Sequence, residues 1–522
     1  MSNRLLIVLF LLIYNVNLSV AFYPTESFSS QNEDFFLHTI ERGQTVYSIS
    51  KMYNVTENEI YQLNPGSDKG IQADSQLKIP QNSGSYIYYT IMPNDNLYSV
   101  SKKYHMKGDD IIEVNPGLSI ETFTIGKIIR IPTNRVTTPL EGNEEINKQI
   151  TNALLNPIRS GDDIKTIKVA LLLPFNVKEG TTPQNAANNR MVEYFEGVLL
   201  ALEDLKAKGI SVNLQVFDTG SKSNTIPSIL SKPEMQNINL IIGGLTDAQI
   251  KLMSEFASKM NIPYVIPVTS KSDEPLSKYQ VYQVNTPPAY RDVKASSAFC
   301  DKYKDYNIIF YTPEDSNNKA EFIKLVQKDL TSRNIPFRTI SDNNLLAEMQ
   351  EAINDSTNNV FVPADDKKSV LFKLIAPIKT LKETNPELSI SLFGHPSWQI
   401  YSTELSEDFF NLNASFYSVY YASPTSPAVK SFHAKYLIWY SRELINIYPK
   451  YGMLGYDTAM FFIQLLDKYG TSYDVNINKM KYSGVQSDFN FERINNWGGF
   501  INTNLYIIEY TPSLTIESKR VQ

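Results

Sequence analysis

A histidine can hold zinc or shuttle a proton, and a cysteine thiolate can attack a carbonyl, so these residue types are weighed first. The chain has four histidines, His38, His105, His395 and His433, and one cysteine, Cys300. No His-Glu-x-x-His, Cys-x-x-Cys or Gly-x-Ser-x-Gly run occurs, so the common zinc and nucleophile signatures are missing. Cys300 ends the amphipathic run from Val293 and is expected as buried packing. A single cysteine also leaves no internal disulfide. The paired acids Glu203-Asp204 and Asp365-Asp366 would point apart on a helix and suit a solvated face. Two spaced glycosidase carboxylates stay open on sequence alone. No Walker A or Gly-x-Gly-x-x-Gly run is present, so no nucleotide cofactor is implied. A net charge of -6 gives no basic footprint for nucleic acid. The expectation is a protein with no catalytic residue, metal or cofactor that works by non-covalent recognition.

The elements that would position such recognition come next. At 522 residues the chain is too long for one core and implies two to four domains. Residues 1–21 read as a signal peptide: Arg4 is the positive end, Leu5 to Tyr14 the apolar run, and Ser19-Val20-Ala21 the cleavage site. The run is too short to span a bilayer comfortably, and an uncleaved anchor is the alternative reading. No other long apolar stretch follows, so no transmembrane segment is expected in the mature chain.

An internal repeat follows. His38-Thr39-Ile40 matches Tyr89-Thr90-Ile91, Tyr47-Ser48-Ile49-Ser50-Lys51 matches Tyr98-Ser99-Val100-Ser101-Lys102, and Asn64-Pro65-Gly66 matches Asn115-Pro116-Gly117. All three pairs lie 51 residues apart. Ile79-Pro80 and Ile131-Pro132 close the units one residue out of step. Each unit reads as strand, helix, helix, strand. In the first, Thr45 is an N-cap ahead of Val46, Ile49 and Tyr53 at helical spacing. Thr56 with Glu59 forms a capping box, and Asn64-Pro65-Gly66 stops the second helix.

These units resemble the LysM family, whose Gly-Asp-Thr-Leu-like turn, Tyr-Ser-Ile-Ala-like helix, Asn-Pro turn and Leu-x-Ile-Pro strand appear as Gly43-Gln44-Thr45-Val46, Tyr47-Ser48-Ile49-Ser50, Leu63-Asn64-Pro65 and Leu77-Lys78-Ile79-Pro80. The resemblance implies two modules, residues 35–81 and 86–133, that bind N-acetylglucosamine polymers such as peptidoglycan glycan strands. It also implies a groove between two loops in each. In the first these are Gly43, Gln44, Thr45 and Val46 with Gly70, Ile71 and Gln72. In the second they are Asn94, Asp95, Asn96 and Leu97 with Thr122, Phe123 and Thr124. An acetamido sugar offers a carbonyl, an N–H and a methyl, which main-chain groups and a small apolar floor can meet. In the second unit Asn94-Asp95-Asn96 replaces the Gly-Asp-Thr turn, and Asn tolerates the left-handed backbone.

Residues 134–163 read as a linker, with a short helix over 145–155. From Ile164 the pattern becomes alternating strands and helices, as in a parallel sheet covered on both faces. Strands are expected at Ile167–Leu173, Val212–Phe217, Asn239–Ile242 and Tyr264–Ile266, with helices at Met191–Lys208 and Ala248–Met260. The order of Leu172-Leu173-Pro174-Phe175, Glu196-Gly197-Val198, Val216-Phe217-Asp218-Thr219, Ile241-Ile242-Gly243-Gly244-Leu245-Thr246 and Leu454-Gly455-Tyr456-Asp457-Thr458-Ala459 resembles the type I periplasmic binding proteins, the group of the branched-chain amino-acid receptors. The fold implied for the chain is multidomain: two small βααβ LysM modules, then a two-lobed α/β type I periplasmic-binding-protein fold over 164–512. The first lobe would hold residues up to Val284 and a return near Tyr420–Lys468. The second would hold Tyr290–Phe416 and the C-terminal strands.

By that resemblance, a ligand carboxylate would meet Leu245, Thr246 and Asp247 after the third strand, and Thr269 and Ser270 after the fourth. The second lobe would offer Asp365, His395, Trp398 and Tyr456 or Asp457. Asp247 stands where a small hydroxyl residue is common, and its charge would repel a carboxylate. Two readings stay open: a small polar ligand (an amino acid or wall fragment), or a cleft that binds none and a domain that binds an envelope protein. The whole chain is expected as a non-enzymatic, wall-associated protein of a bacterial periplasm or envelope.

Overall fold

The computed structural model describes residues 34–81, 84–133, 165–176, 186–313 and 320–521. The expected signal peptide and linker lie outside these residues. Each repeat is a two-stranded antiparallel sheet with two helices. In the first, β1 (Phe35–Thr39) pairs with β2 (Gln76–Pro80) around α1 (Val46–Tyr53) and α2 (Glu57–Leu63). In the second, β3 (Tyr86–Thr90) pairs with β4 (Ile128–Pro132) around α3 (Leu97–Lys103) and α4 (Gly108–Val114).

Local chemistry explains these elements. Thr45 and Asn96 cap α1 and α3, each accepting the N–H three residues on while that serine returns a bond to the cap. Thr56 and Glu59 form the same reciprocal box on α2. Such caps satisfy donors the first helical turn leaves unpaired. Asn64 does more than stop α2. Its side chain donates to Ile60 O (2.8 Å) and Lys78 O (2.7 Å) and accepts from Lys78 N (2.9 Å). Asn115 repeats the arrangement with Ile111 O, Arg130 O and Arg130 N. In both modules one amide therefore ties the second helix to the returning strand.

Strand β3 breaks the expected alternation of buried and exposed residues, because neighbouring Tyr88 and Tyr89 are both buried. Tyr89 faces the core of its own module, whereas Tyr88 joins that of the first. Gln81 holds the main chain of Tyr88 at 2.7 and 3.0 Å. The two modules thus pack as a pair.

The rest is two lobes. In the first, β5 (Ile167–Leu173), β6 (Val212–Asp218), β7 (Leu240–Gly243), β8 (Tyr264–Ile266) and β9 (Val281–Gln283) are parallel. In the second, β10 (Asn307–Tyr311), β11 (Phe337–Ile340), β12 (Asn359–Pro363), β13 (Ile390–Gly394) and β14 (Ser415–Ser418) are parallel. The C-terminal strands do not all join the second lobe, as expected from sequence, but divide. β15 (Phe491–Arg493) and β16 (Phe500–Asn502) extend the first sheet, whose order is β15-β16-β9-β8-β7-β5-β6. β17 (Tyr506–Tyr510) and β18 (Ile516–Arg520) extend the second, ordered β11-β10-β12-β13-β14-β17-β18. Phe500 stacks on Tyr282 of β9 at 4.7 Å, which gives β16 an aromatic reason to lie there.

Three segments cross between the lobes, after β9, β14 and β16, and they are bonded to one another. Thr286 donates to Asn502 O (2.6 Å), while Asn502 and Tyr420 both donate to Val284 O (3.0 and 3.1 Å). In the first lobe, helices Ala186–Ala207 and Tyr451–Tyr469 meet at glycines. A Cβ at Gly197 would stand 1.8 Å from Gly452 O, and one at Gly455 would stand 2.0 Å from Tyr194 O. Only glycine permits an approach that close.

Candidate functional site

The turn between the first strand and first helix is built alike in both repeats. In the first, the Gln44 side-chain oxygen accepts the Glu41 N–H (2.9 Å) and lies 2.7 Å from His38 Nε2. His38 Nδ1 lies 2.8 Å from the Tyr53 hydroxyl. In the second, Asp95 accepts from Met92 N and from the Tyr89 hydroxyl, each at 2.7 Å. Gln44 and Asp95 were expected to face glycan. Their side chains brace the turn from within. Burial lowers the proton affinity of His38, which suits a neutral ring donating from Nε2 and accepting at Nδ1.

Two further groove residues are core residues. Val46 and Leu97 are 7% and 1% exposed and lie in the cores of their modules. They hold the first helix down and offer no side chain to a groove. On the opposite loop, Ile71 and Phe123 are equivalent: each is half-buried and anchors its loop on the module core. Thr122 is spent locally, accepting Ser119 N (2.7 Å) and donating to Gly117 O (3.0 Å). Thr45, Gly70, Gln72, Asn94 and Thr124 are exposed, and Asn96 is a half-buried cap. Sequence reasoning missed two apolar residues beside the second groove, Ile120 and Ile125, which are 46% and 66% exposed. Their signal was two isoleucines in the loop, alternating there with polar residues.

The two grooves differ in their surroundings. In the first repeat, Arg42 pairs with Asp329 on helix Ala320–Ser332 of the second lobe. Gly43, at φ +90°, lies against helix Pro288–Tyr303, where an added Cβ would stand 2.3 Å from Ala289 O and 3.2 Å from Val293 Cγ2. The Tyr47 hydroxyl donates to Asp273 of the first lobe at 2.5 Å, and that carboxylate pushes its pKa up to about 12. In the second repeat the matching Pro93 and Asn94 are exposed.

A hairpin of the first lobe enters between the repeats. Trp497, in the turn between β15 and β16, is 2% exposed. Its ring lies 5.8 Å from Tyr53, 5.5 Å from Tyr88 and 4.8 Å from the Arg130 guanidinium. Asn496 accepts Gly117 N (2.7 Å) and donates to Ile128 O (3.0 Å). Nothing in the sequence linked a tryptophan near the C-terminus to the N-terminal repeats.

The expected ligand loops of the two-lobed domain are largely self-satisfied. Leu245 N–H donates to Gln249 Oε1 (3.2 Å), and Thr246 caps its helix by accepting Gln249 N (3.4 Å). Asp247 is exposed in that helix's first turn, where the helix dipole favours a negative charge. Thr269 accepts Lys271 N (3.1 Å), and Ser270 beside it is half-buried. Trp398 is not a cleft residue: it is fully buried, stacked on Phe409 at 5.6 Å and seated against Gly394. Tyr456 donates to Asp204 (2.6 Å) and lines a cavity of about 340 Å³ between helices, with Lys208, Lys435 and Lys481, apart from the loops after β7 and β8. Asp457 accepts N–H bonds from Val485, Gln486 and Ser487 and anchors their loop. His395 bonds Pro363 O (2.8 Å), and Asp365 accepts Lys367 N (2.9 Å). Arg291 and Asp292, unremarked in the sequence, form a largely buried ion pair (2.7 Å) beside Tyr417. Among the described residues no group of three or more His, Cys, Asp or Glu is placed to hold a metal. No helix there is long and apolar enough to cross a membrane.

Fold and paired turns together define a class: two βααβ modules followed by a two-lobed α/β domain. The LysM domain family model matches residues 38–80 and 89–132, so the chain carries two LysM domains. It is 28% identical over 98 residues to the Bacillus subtilis (strain 168) protein named "Putative sporulation-specific glycosylase YdhD". That match covers 19% of this chain and 22% of that protein. Among solved structures, a Burkholderia xenovorans branched-chain amino acid ABC transporter periplasmic ligand-binding protein is 10% identical, with a TM-score of 0.45 over 68% of this chain and 94% of that one. LivJ from Streptococcus pneumoniae, solved with isoleucine, is 13% identical, with a TM-score of 0.39 over 68% of this chain and all of that one.

Proposed function

We propose that this protein binds peptidoglycan glycan strands through its LysM domains and works, without catalysis, in a bacterial envelope outside the cytoplasm. The observation that carries this reading is the second repeat. Asn94 and Thr124 stand exposed on its two loops, with Ile120 and Ile125 beside them. Exposed apolar side chains next to free turns suit the methyl and the amide of an N-acetyl group. One such site is weak, and two on one polymer gain by effective concentration. The test is sedimentation of the full chain with purified peptidoglycan. The wild-type chain is expected in the pellet, and Asn94→Ala with Ile125→Asp is expected to lose binding at least tenfold. A wild-type chain left in the supernatant at saturating peptidoglycan overturns the reading.

For the two-lobed domain, a protein partner is favoured over a small polar ligand. Of the groups expected to meet a carboxylate, the Leu245 N–H donates to Gln249, and the Thr246 and Thr269 hydroxyls each accept a main-chain N–H of their own loop. Helix Pro427–Tyr440 exposes Leu437, Ile438 and Trp439 in sequence, and exposed large apolar side chains close together suit an interaction surface. Thermal melts of the full chain with amino acids and muropeptides decide this: a ligand at a hundred times its Kd stabilises by about 2.7 kcal/mol, and such a shift would restore the receptor reading.

A further inference from the structure

We infer that the first LysM domain is a latch between the lobes: the LysM pair rides on the first lobe, and a smaller contact from it to the second lobe holds the two lobes at one angle. The latch acts within the chain and needs no glycan.

The foothold on the first lobe is apolar and deep. Trp497, in the turn of the β15–β16 hairpin, joins the core of the first LysM domain and is 2% exposed. Asn496 beside it accepts from Gly117 N and donates to Ile128 O. Gly117 lets the hairpin approach, since a Cβ there would stand 2.5 Å from Arg493 Cδ. The hairpin is in turn tied to its own lobe. Asn495 donates to Leu276 O (3.1 Å), and Gly499 N donates to Pro275 O (2.7 Å). The Tyr47 hydroxyl reaches the same stretch of the first lobe at Asp273.

The foothold on the second lobe is smaller and polar. Arg42 pairs with Asp329 of helix Ala320–Ser332, and Gly43 lies against Ala289 and Val293 of helix Pro288–Tyr303. Asp329 is buried and also accepts from Ser296. Among the described residues, Arg42 is its one ion-pair partner. A carboxylate taken out of water needs a cation beside it, and here the cation comes from another domain.

The hinge runs between these footholds. Three segments join the lobes and are bonded to one another, and bodies joined in this way turn about the joining segments. Such a turn strains one foothold or the other. The buried tryptophan is the stronger, because the Arg42 side chain is 41% exposed and water can replace Asp329 as its partner. A turn of the lobes therefore opens the Arg42–Asp329 contact and leaves the LysM pair seated on the first lobe.

Distances between paired spin labels on the full chain test this. Lys259→Cys on the first lobe and Glu383→Cys on the second are exposed positions, and the native Cys300 is buried and escapes labelling. With Arg42 and Asp329 intact, one narrow lobe-to-lobe distance is expected. Arg42→Glu sets like charges together and is expected to at least double the width of that distribution, with Asp329→Asn moving it the same way. A second label pair, Lys102→Cys with Lys259→Cys, is expected to keep its distance throughout, which also shows that the variants are folded. A lobe-to-lobe distribution that is the same with Arg42→Glu, with Asp329→Asn and with neither overturns the latch. So does a LysM-to-first-lobe distance that broadens together with the lobe-to-lobe one, since the anchor would then have parted first. Both outcomes leave the glycan reading untouched.

Discussion

Replacing Trp497 with alanine should uncouple the LysM pair from the lobes. A buried tryptophan covers about 150–250 Å², and at about 25 cal/mol per Å² its burial contributes roughly 4–6 kcal/mol. Tryptophan-to-alanine truncations in packed sites cost about 3–5 kcal/mol. Part of that cost is offset here, because removing the indole also removes a buried N–H with no acceptor, worth about 1–3 kcal/mol. A net loss of about 2 kcal/mol remains, which shifts the docked-to-undocked ratio roughly 30-fold. Two measurements read this out on the full chain. Calorimetry should resolve a separate LysM transition in Trp497→Ala. Amide exchange should rise in the segments around Tyr53 and Tyr88, which stack on the indole. A single transition at the wild-type temperature, with exchange unchanged at those segments, would refute the reasoning that the tryptophan holds the pair in place.

Asn115→Ala should destabilise the second repeat by about 2–4 kcal/mol, because it strips three hydrogen bonds from a fully buried amide and orphans the Arg130 main chain. Denaturant unfolding followed by exchange in residues 86–132 checks this, and a cost below 1 kcal/mol would contradict it. Gly455→Ala should lower the Tm of the first lobe despite a helix-propensity gain of about 1 kcal/mol, since its Cβ meets Tyr194 O at 2.0 Å and overpacking costs about 1–3 kcal/mol. A raised Tm would mean the helices separate freely. His38 has a folded pKa below its ordinary 6.5, so the unfolded chain binds the extra proton first as pH falls. Stability of the first repeat should be full above about pH 6.5 and decline below it. His38→Gln should flatten that slope, and an unchanged slope would assign it to other groups.

Much of the fold was legible because its signals are local. The spacing of 51 residues, the capping residues and the Asn-Pro-Gly stops lie within short windows, and the buried strand Ile167–Leu173 announces itself by the apolar run from Val169 to Leu173. The division of the C-terminal strands was not legible, because β16 is three residues long and its place depends on Phe500 finding Tyr282, more than 200 residues away. The site was legible only as loops. Gln44 and Asp95 were polar residues in turns, and sequence cannot tell a side chain aimed at ligand from one aimed at its own backbone. Trp398 was a plausible wall for a cleft, yet Gly394 opens room for it in the core. The docking of Trp497, Asn496 and Asp273 on the repeats joins residues far apart in the chain, and no periodic pattern encodes such contacts.

Hydrogen exchange on the full chain, with and without the N-acetylglucosamine tetramer, locates the sugar directly. Slowed exchange at residues 92–98 and 119–127, the two loops of the second repeat, is the result expected. Protection confined to residues 245–247 and 269–270 of the lobes, with those loops unchanged, would contradict the claim that the second LysM domain is where this protein takes hold of glycan.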